Sequence, residues 1–158
     1  MRVEQIMTRQ VSSCSPDTSL AEAAQLMWDH DCGCLPVCTG NGASRVAGVI
    51  TDRDICMAAL FKAQPLYELR VADAMSRQLQ ACRPADSLID AENTMRKARV
   101  RRLPVIDEQG LLLGMISLAD LAREAARENH SPKQEITEME VGDTLAAICQ
   151  PSTTRPIA

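Results

Sequence analysis

Leu35-Pro36-Val37, followed by Gly48-Val49-Ile50-Thr51-Asp52-Arg53-Asp54, returns further along the chain as Leu103-Pro104-Val105 and Gly114-Met115-Ile116-Ser117-Leu118-Ala119-Asp120. Working outward, Val3–Cys38 lies over Val71–Ile106 at a constant offset of 68 residues (71 minus 3). That alignment matches Val3/Val71, Met7/Met75, Arg9/Arg77, Cys14/Cys82, Pro16/Pro84, Ser19/Ser87, Leu20/Leu88, Ala23/Ala91 and Met27/Met95. Beyond it the register slips by two residues, because Thr39–Ala47 is longer than Asp107–Leu113, and Asp54 then falls over Asp120. A unit of about sixty residues in two copies argues for a pseudo-twofold pair of subdomains, since solenoids stack at least about three shorter repeats. Any site built by one copy should have a counterpart in the other.

The 158 residues are 46% hydrophobic and 24% charged, which is ordinary globular composition and removes the disordered class. Trp28, Phe61 and Tyr67 are the only aromatic residues and the net charge is -4, so neither base stacking nor phosphate-backbone attraction has support and nucleic acid is not an expected partner. No run reaches the roughly 18 apolar residues of a membrane span, and Met1-Arg2-Val3-Glu4 does not open a secretory leader. A cytoplasmic protein with no membrane partner is expected. Seven cysteines without a leader do not describe a disulfide framework.

Each copy reads as β-α-β-β-α. Ser19-x-x-Glu22 and Ser87-x-x-Asp90 are capping boxes that start a helix, and Leu20, Ala23, Ala24 and Met27, like Leu88, Ala91 and Met95, give each helix one apolar stripe. Two short apolar strands follow, separated by Thr39-Gly40-Asn41-Gly42 in copy one and Asp107-Glu108-Gln109-Gly110 in copy two, and then a second helix, about 52–63 and 118–128. The expected division is 1–64 for copy one, 65–130 for copy two, and 131–158 for an acidic tail that begins near Ser131-Pro132 and holds one short helix over about 141–148.

Thr51-x-x-Asp54 and Ser117-x-x-Asp120 set a hydroxyl at a strand's end and a carboxylate in the next helical turn, where amides point outward and the dipole favours anions. A carboxylate offers two acceptors to the paired hydroxyls of a ribose, and the hydroxyl can donate to a phosphate. The same spacing is also that of a plain helix cap.

Repeat, Leu-Pro-Val and Gly-hydrophobic-hydrophobic-Thr/Ser-x-x-Asp together resemble the CBS domain, and the paired copies look like a CBS pair (Bateman module) over about Val3–Arg127. The Gly48–Asp54 stretch and the tail near Ala147-Ile148-Cys149 are similar to small stand-alone bacterial hypoxic-response CBS proteins. The resemblance implies an α/β (α+β) fold of two tandem β-α-β-β-α CBS subdomains with pseudo-twofold symmetry. It implies a sensor that binds AMP, ADP, ATP or NAD in the cleft between repeats without turnover, assembled as a disk-like homodimer through helix faces carrying Ala23, Met57 and Ala125, and passing its output to an effector protein. The stronger site implied is Ser117 and Asp120 with Thr8, Ser13, Arg101, Arg102 and the Cys32-Gly33 backbone. The weaker is Thr51 and Asp54 with Arg53, Ser76, Ala81 and Val100, because Gly33 and Cys34 stand where copy two has Arg101 and Arg102.

No catalytic set can be assembled from His30 and His130, and no Walker or His-Glu-x-x-His motif is present, so no enzyme and no catalytic cofactor is expected. His30-Asp31-Cys32-Gly33-Cys34 and Cys38 have poor spacing for zinc, and no metal is expected. Cys14 and Cys38 both close strands of copy one and form a candidate disulfide. The rival function is a redox- or metal-responsive stress protein that signals through its cysteines with a vestigial nucleotide cleft.

Overall fold

A computed structural model describes residues 1–40, 44–128 and 134–151; the expected turn at Asn41-Gly42, the Ser131-Pro132 boundary and His130 lie outside these residues. In chain order the elements are α1 (Leu20–Asp29), β1 (Cys34–Thr39), β2 (Arg45–Thr51), α2 (Asp52–Lys62), α3 (Leu88–Ala98), β3 (Arg102–Ile106), β4 (Leu112–Ser117), α4 (Leu118–Glu128) and α5 (Glu138–Cys149). The helices begin where the capping boxes require. Ser19 Oγ accepts from the Glu22 amide at 3.2 Å while Glu22 Oε2 accepts from the Ser19 amide at 2.9 Å, and Ser87 with Asp90 repeats the pattern. Each such cap is worth about 1 kcal/mol.

The opening strand of each copy is reduced to less than expected. Short 3-10 turns cover Val3–Gln5 and Val71–Asp73, and only single parallel bridges follow, Cys14 to Val37 and Cys82 to Val105. The Cys14 amide donates to the Pro36 carbonyl at 3.1 Å and Cys38 donates to the Cys14 carbonyl at 2.8 Å, but Pro36 has no N–H with which to extend the ladder. β1 pairs antiparallel with β2, Leu35 opposite Ile50, with a bulge between Val37 and Cys38; β3 and β4 form the second two-stranded sheet.

Two compact units result, and they do not coincide with the repeats. One gathers 1–8, 82–105 and 115–158; the other gathers 9–81 and 106–114. The reason is that each opening segment bonds to the other copy's strand. Thr8 and Met115 exchange two backbone hydrogen bonds of 2.9 Å, and Ser76 and Val49 exchange bonds of 2.9 and 3.1 Å. Val3, Leu88, Met95, Leu103, Ile116, Leu121 and Ile136 fill the first core, and Leu20, Leu35, Val37, Ile50, Leu69 and Val71 the second. Gly48 belongs to this arrangement: a Cβ there would lie 2.2 Å from the Ser76 carbonyl oxygen, so only glycine admits the crossing segment.

The tail helix is longer than expected, because Thr137 and Glu140 form a capping box ahead of the apolar positions. Ile136, Val141 and Ile148 pack into the core of the first unit, and the buried Thr144 hydroxyl donates to Glu92 on α3. This changes the reading of the helix faces. Ala125 and Ala23, expected on exposed dimer faces, are 1% and 0% exposed and belong to the two cores, Ala125 to the one that α5 completes; Met57 is half-buried.

Burial pushes the Glu92 carboxyl above its ordinary value of 4.5, with Arg96 opposing and Glu140 and Asp143 of α5 reinforcing the rise. The folded state therefore holds this proton to higher pH than the unfolded chain. The contribution is fully present below about 4.5 and is lost as pH rises through the raised folded value. Thermal melts over this range are expected to show Glu92→Gln flattening the decline, with the variant gaining on the parent as pH rises; parallel curves would refute the assignment.

Candidate functional site

The strand ends deliver the expected hydroxyl and carboxylate as a cap in both units. In the first, Asp120 Oδ2 accepts from the Ser117 amide at 2.8 Å and its hydroxyl at 2.6 Å, while the Asp120 amide donates back to Ser117 Oγ at 3.3 Å. In the second, Asp54 Oδ2 accepts from the Thr51 amide at 2.9 Å and hydroxyl at 2.7 Å, with a 3.2 Å return bond. One carboxylate oxygen is thus spent on the cap in each copy. The other differs. Asp120 Oδ1 is ion-paired with Arg123, whereas Asp54 Oδ1 accepts from none of the described residues. Arg123 was not singled out from the sequence, although opposite charges three residues apart on a helix would have found it. Its counterpart in copy one is Met57.

Around Ser117 and Asp120 the first unit brings Thr8, bridged to Met115 two residues before Ser117, and Arg101, whose carbonyl accepts from the Leu118 amide at 2.9 Å. Arg102 opens β3 beside it, and both arginines are exposed. Val100 lies in this unit too, its amide closing α3 onto the Met95 carbonyl at 3.0 Å. The second unit brings Ser76, bridged to Val49 two residues before Thr51, with Arg53 exposed on the first turn of α2 and Ala81 at the unit's limit. Cys32 and Gly33 fall in this second unit, Gly33 bonding the Asp52 amide at 3.2 Å, and Ser13 is there as well, hydrogen-bonded to the Cys38 thiol. A cleft of about 420 Å³ in the second unit includes Cys32 and Gly33 but neither Thr51 nor Asp54 in its wall.

Hydroxyls at strand ends, carboxylates in the first turns and a repeated crossing segment define a CBS pair. The CBS domain family profile matches residues 3–60 and 71–127, and the chain belongs to that family. It is 37% identical to the CBS domain-containing protein YhcV of Bacillus subtilis over 120 residues, 76% of this chain and 82% of that protein. It is 31% identical to hypoxic response protein 1 of Mycobacterium tuberculosis over 146 residues, 92% of each. Crystallised with two coordinated zinc ions, hypoxic response protein 1 superposes with a TM-score of 0.69 at 32% identity, over 78% of this chain and 98% of that one. The structure of CBSX2 in complex with AMP superposes with a TM-score of 0.70 at 27% identity, over 82% of this chain and 98% of that one.

All seven cysteines are free in the structure, and the expected Cys14–Cys38 bridge is not formed in it. Cys14 is in register with Val37, so its side chain turns into the core with Val37 while Cys38 alternates to the other face. Burial, reinforced by Cys38 and Cys34, pushes the Cys14 thiol up to about 11. Burial, with Asp86 adding, pushes Cys82 to about 12, and burial raises Cys38 against the lowering bond from Ser13. Among the described residues, no group of three or more His, Cys, Asp or Glu could hold a metal ion, and no helix is long and apolar enough to cross a membrane. Iodoacetamide under native conditions is expected to label the exposed Cys56 and Cys149 rapidly and Cys14 and Cys82 only after denaturation. Peptide mass mapping showing early labelling of Cys14 would contradict the burial.

Proposed function

We propose that this chain is a regulatory module that binds an adenine nucleotide without turnover, more tightly at Ser117 and Asp120 than at Thr51 and Asp54. The observation that carries the reading is the recurrence, in both units, of a strand-end hydroxyl and first-turn aspartate with a crossing-segment hydroxyl two residues upstream. The AMP held by CBSX2, at 27% identity, supports the ligand class; AMP, ADP, ATP and NAD share the ribose and phosphate that such a site reads.

In the first unit the ribose diol takes Asp120 Oδ1, which releases Arg123. That guanidinium, 70% exposed, then joins Arg101 and Arg102 around the phosphate, where a planar fork suits an anion. Asp54 offers Oδ1 without displacing a partner, but its counterparts to the three arginines are Gly33, Cys34 and Met57, so ribose binds there with little to hold a phosphate. A cytoplasmic sensor of this kind acts through differential affinity for two states and hands its output to an effector protein. Ala23 and Ala125 are buried, so these two residues do not argue for a homodimer.

The rival reading, a stress protein signalling through metal or thiols, draws on the zinc ions of hypoxic response protein 1. The buried, raised thiols of Cys14 and Cys82 do not suit a redox role, which leaves the exposed Cys56 and Cys149 to carry one.

Calorimetry with AMP, ADP, ATP and NAD tests the assignment. Asp120→Asn, which keeps a capping oxygen, and Arg102→Ala are each expected to lose tenfold or more in affinity, about 1.4 kcal/mol, and Asp54→Asn less. Unchanged affinity in all three, or no gain in thermal stability with any of the four nucleotides, ends the reading.

A further inference from the structure

The two sites differ at the residue three places after the aspartate, and the consequence reaches past the phosphate. In copy two, Asp120 gives Oδ2 to the Ser117 cap and Oδ1 to the Arg123 guanidinium, so both carboxylate oxygens are engaged. In copy one, Asp54 gives Oδ2 to Thr51 in the same way, and its Oδ1 accepts from none of the described residues. The counterpart of Arg123 is Met57, half-buried and unable to donate a hydrogen bond. Copy two is latched where copy one is open.

Arg53 does not supply the missing latch, although it adjoins Asp54 in sequence. One residue along a helix turns its side chain about 100° away from the aspartate, whereas Arg123 follows Asp120 by three and shares its face. The first turn of α2 instead carries two carboxylates, Asp52 and Asp54, against Asp120 alone in α4.

Ligands that share adenosine and differ only in phosphate meet these two arrangements differently. At copy two, a ribose that takes Asp120 Oδ1 turns the Arg123 guanidinium away from a side chain only 11% exposed. A nucleotide gives that guanidinium a new anion and recovers the loss. Adenosine gives it nothing, so for the nucleoside the latch is all cost. At copy one the ribose displaces no partner, and a phosphate approaching α2 meets like charge from two aspartates. Arg123 is itself 70% exposed, so solvent screens the pair and the discrimination is a few-fold at each step rather than absolute.

We propose that residues 123 and 57 sort the two sites by ligand class: Arg123 makes the copy-two site reject unphosphorylated adenosine in favour of nucleotides, and Met57 leaves the copy-one site to the nucleoside. This rests on the nucleotide reading above and adds a second ligand class to it, an uncharged adenosine nucleoside. The two copies then read the phosphorylated and the unphosphorylated forms of one molecule separately.

Calorimetry with AMP and adenosine on the full chain, with one site weakened at a time, tests the division. In an Asp54→Asn background, Arg123→Met is expected to weaken AMP and strengthen adenosine, each by about threefold or more. The AMP-to-adenosine affinity ratio then falls by about tenfold, about 1.4 kcal/mol. In an Asp120→Asn background, adenosine is expected to bind at least as tightly as AMP, and Met57→Arg to shift the ratio toward AMP. A ratio taken within one variant cancels any general loosening of the fold, which melting curves check separately. If AMP binding still falls with Asp120→Asn but the ratio is indifferent to Arg123→Met, the division is overturned and the nucleotide reading stands. A copy-one site that prefers AMP overturns it as well. A parent chain that binds neither ligand removes the nucleotide reading and this inference together.

Discussion

Paired backbone hydrogen bonds between Ser76 and Val49, and between Thr8 and Met115, hold the rest of the arrangement in place. Each pins the opening segment of one copy to the second strand of the other, two residues before that strand hands its chain to a helix. The handover then has little freedom. Thr51 and Ser117 must end a strand and cap a helix at once, so a hydroxyl is required, and the carboxylate three residues on completes the box. Gly48 follows from the same constraint, since the Ser76 carbonyl occupies the space a side chain would need. The Gly-hydrophobic-hydrophobic-Thr-x-x-Asp signature is thus one structural statement: let a strand cross, end, and begin a helix whose cap a carboxylate closes.

On that shared frame the copies diverge at a small set of matched positions, and some of these carry the proposed ligand preferences. Arg101, Arg102 and Arg123 in copy two stand at the positions of Gly33, Cys34 and Met57 in copy one, the difference on which the proposed phosphate preference rests. Arg96, Lys97, Arg99 and Leu118 likewise stand at the positions of Trp28, Asp29, Asp31 and Asp52, which changes the local charge. Gly33 also answers to packing, because a Cβ there would come within 2.8 Å of Asp52 Oδ2. A basic residue in the place of Gly33 would crowd that carboxylate.

Much of this was legible from residues alone. Ser19, Ser87, Thr51 and Ser117 announced helix starts because a capping box is local chemistry, complete within four residues. The duplication fixed the equivalence of Asp54 with Asp120, and the family followed from it. Other features are not local. An offset shows that Thr8 and Ser76 are equivalent, yet not that each bonds the opposite copy's strand, so the compact units cut across the expected boundaries at 64 and 130. Pro36 limits the opening strand to a single bridge through its missing N–H, a subtraction that hydrophobic periodicity does not register. The docking of α5 depends on Thr144 reaching a glutamate 52 residues earlier, and no spacing rule spans such a gap.

The first turn of α2 shows how far the copies part on one frame. Thr51 caps the turn through Asp54, and Asp52 and Ile55 within it line the copy-one cleft. Copy two has Leu118 in the place of Asp52, in the core that α5 completes. A cap of the same chemistry therefore opens a helix with an exposed carboxylate in one copy and a buried apolar side chain in the other.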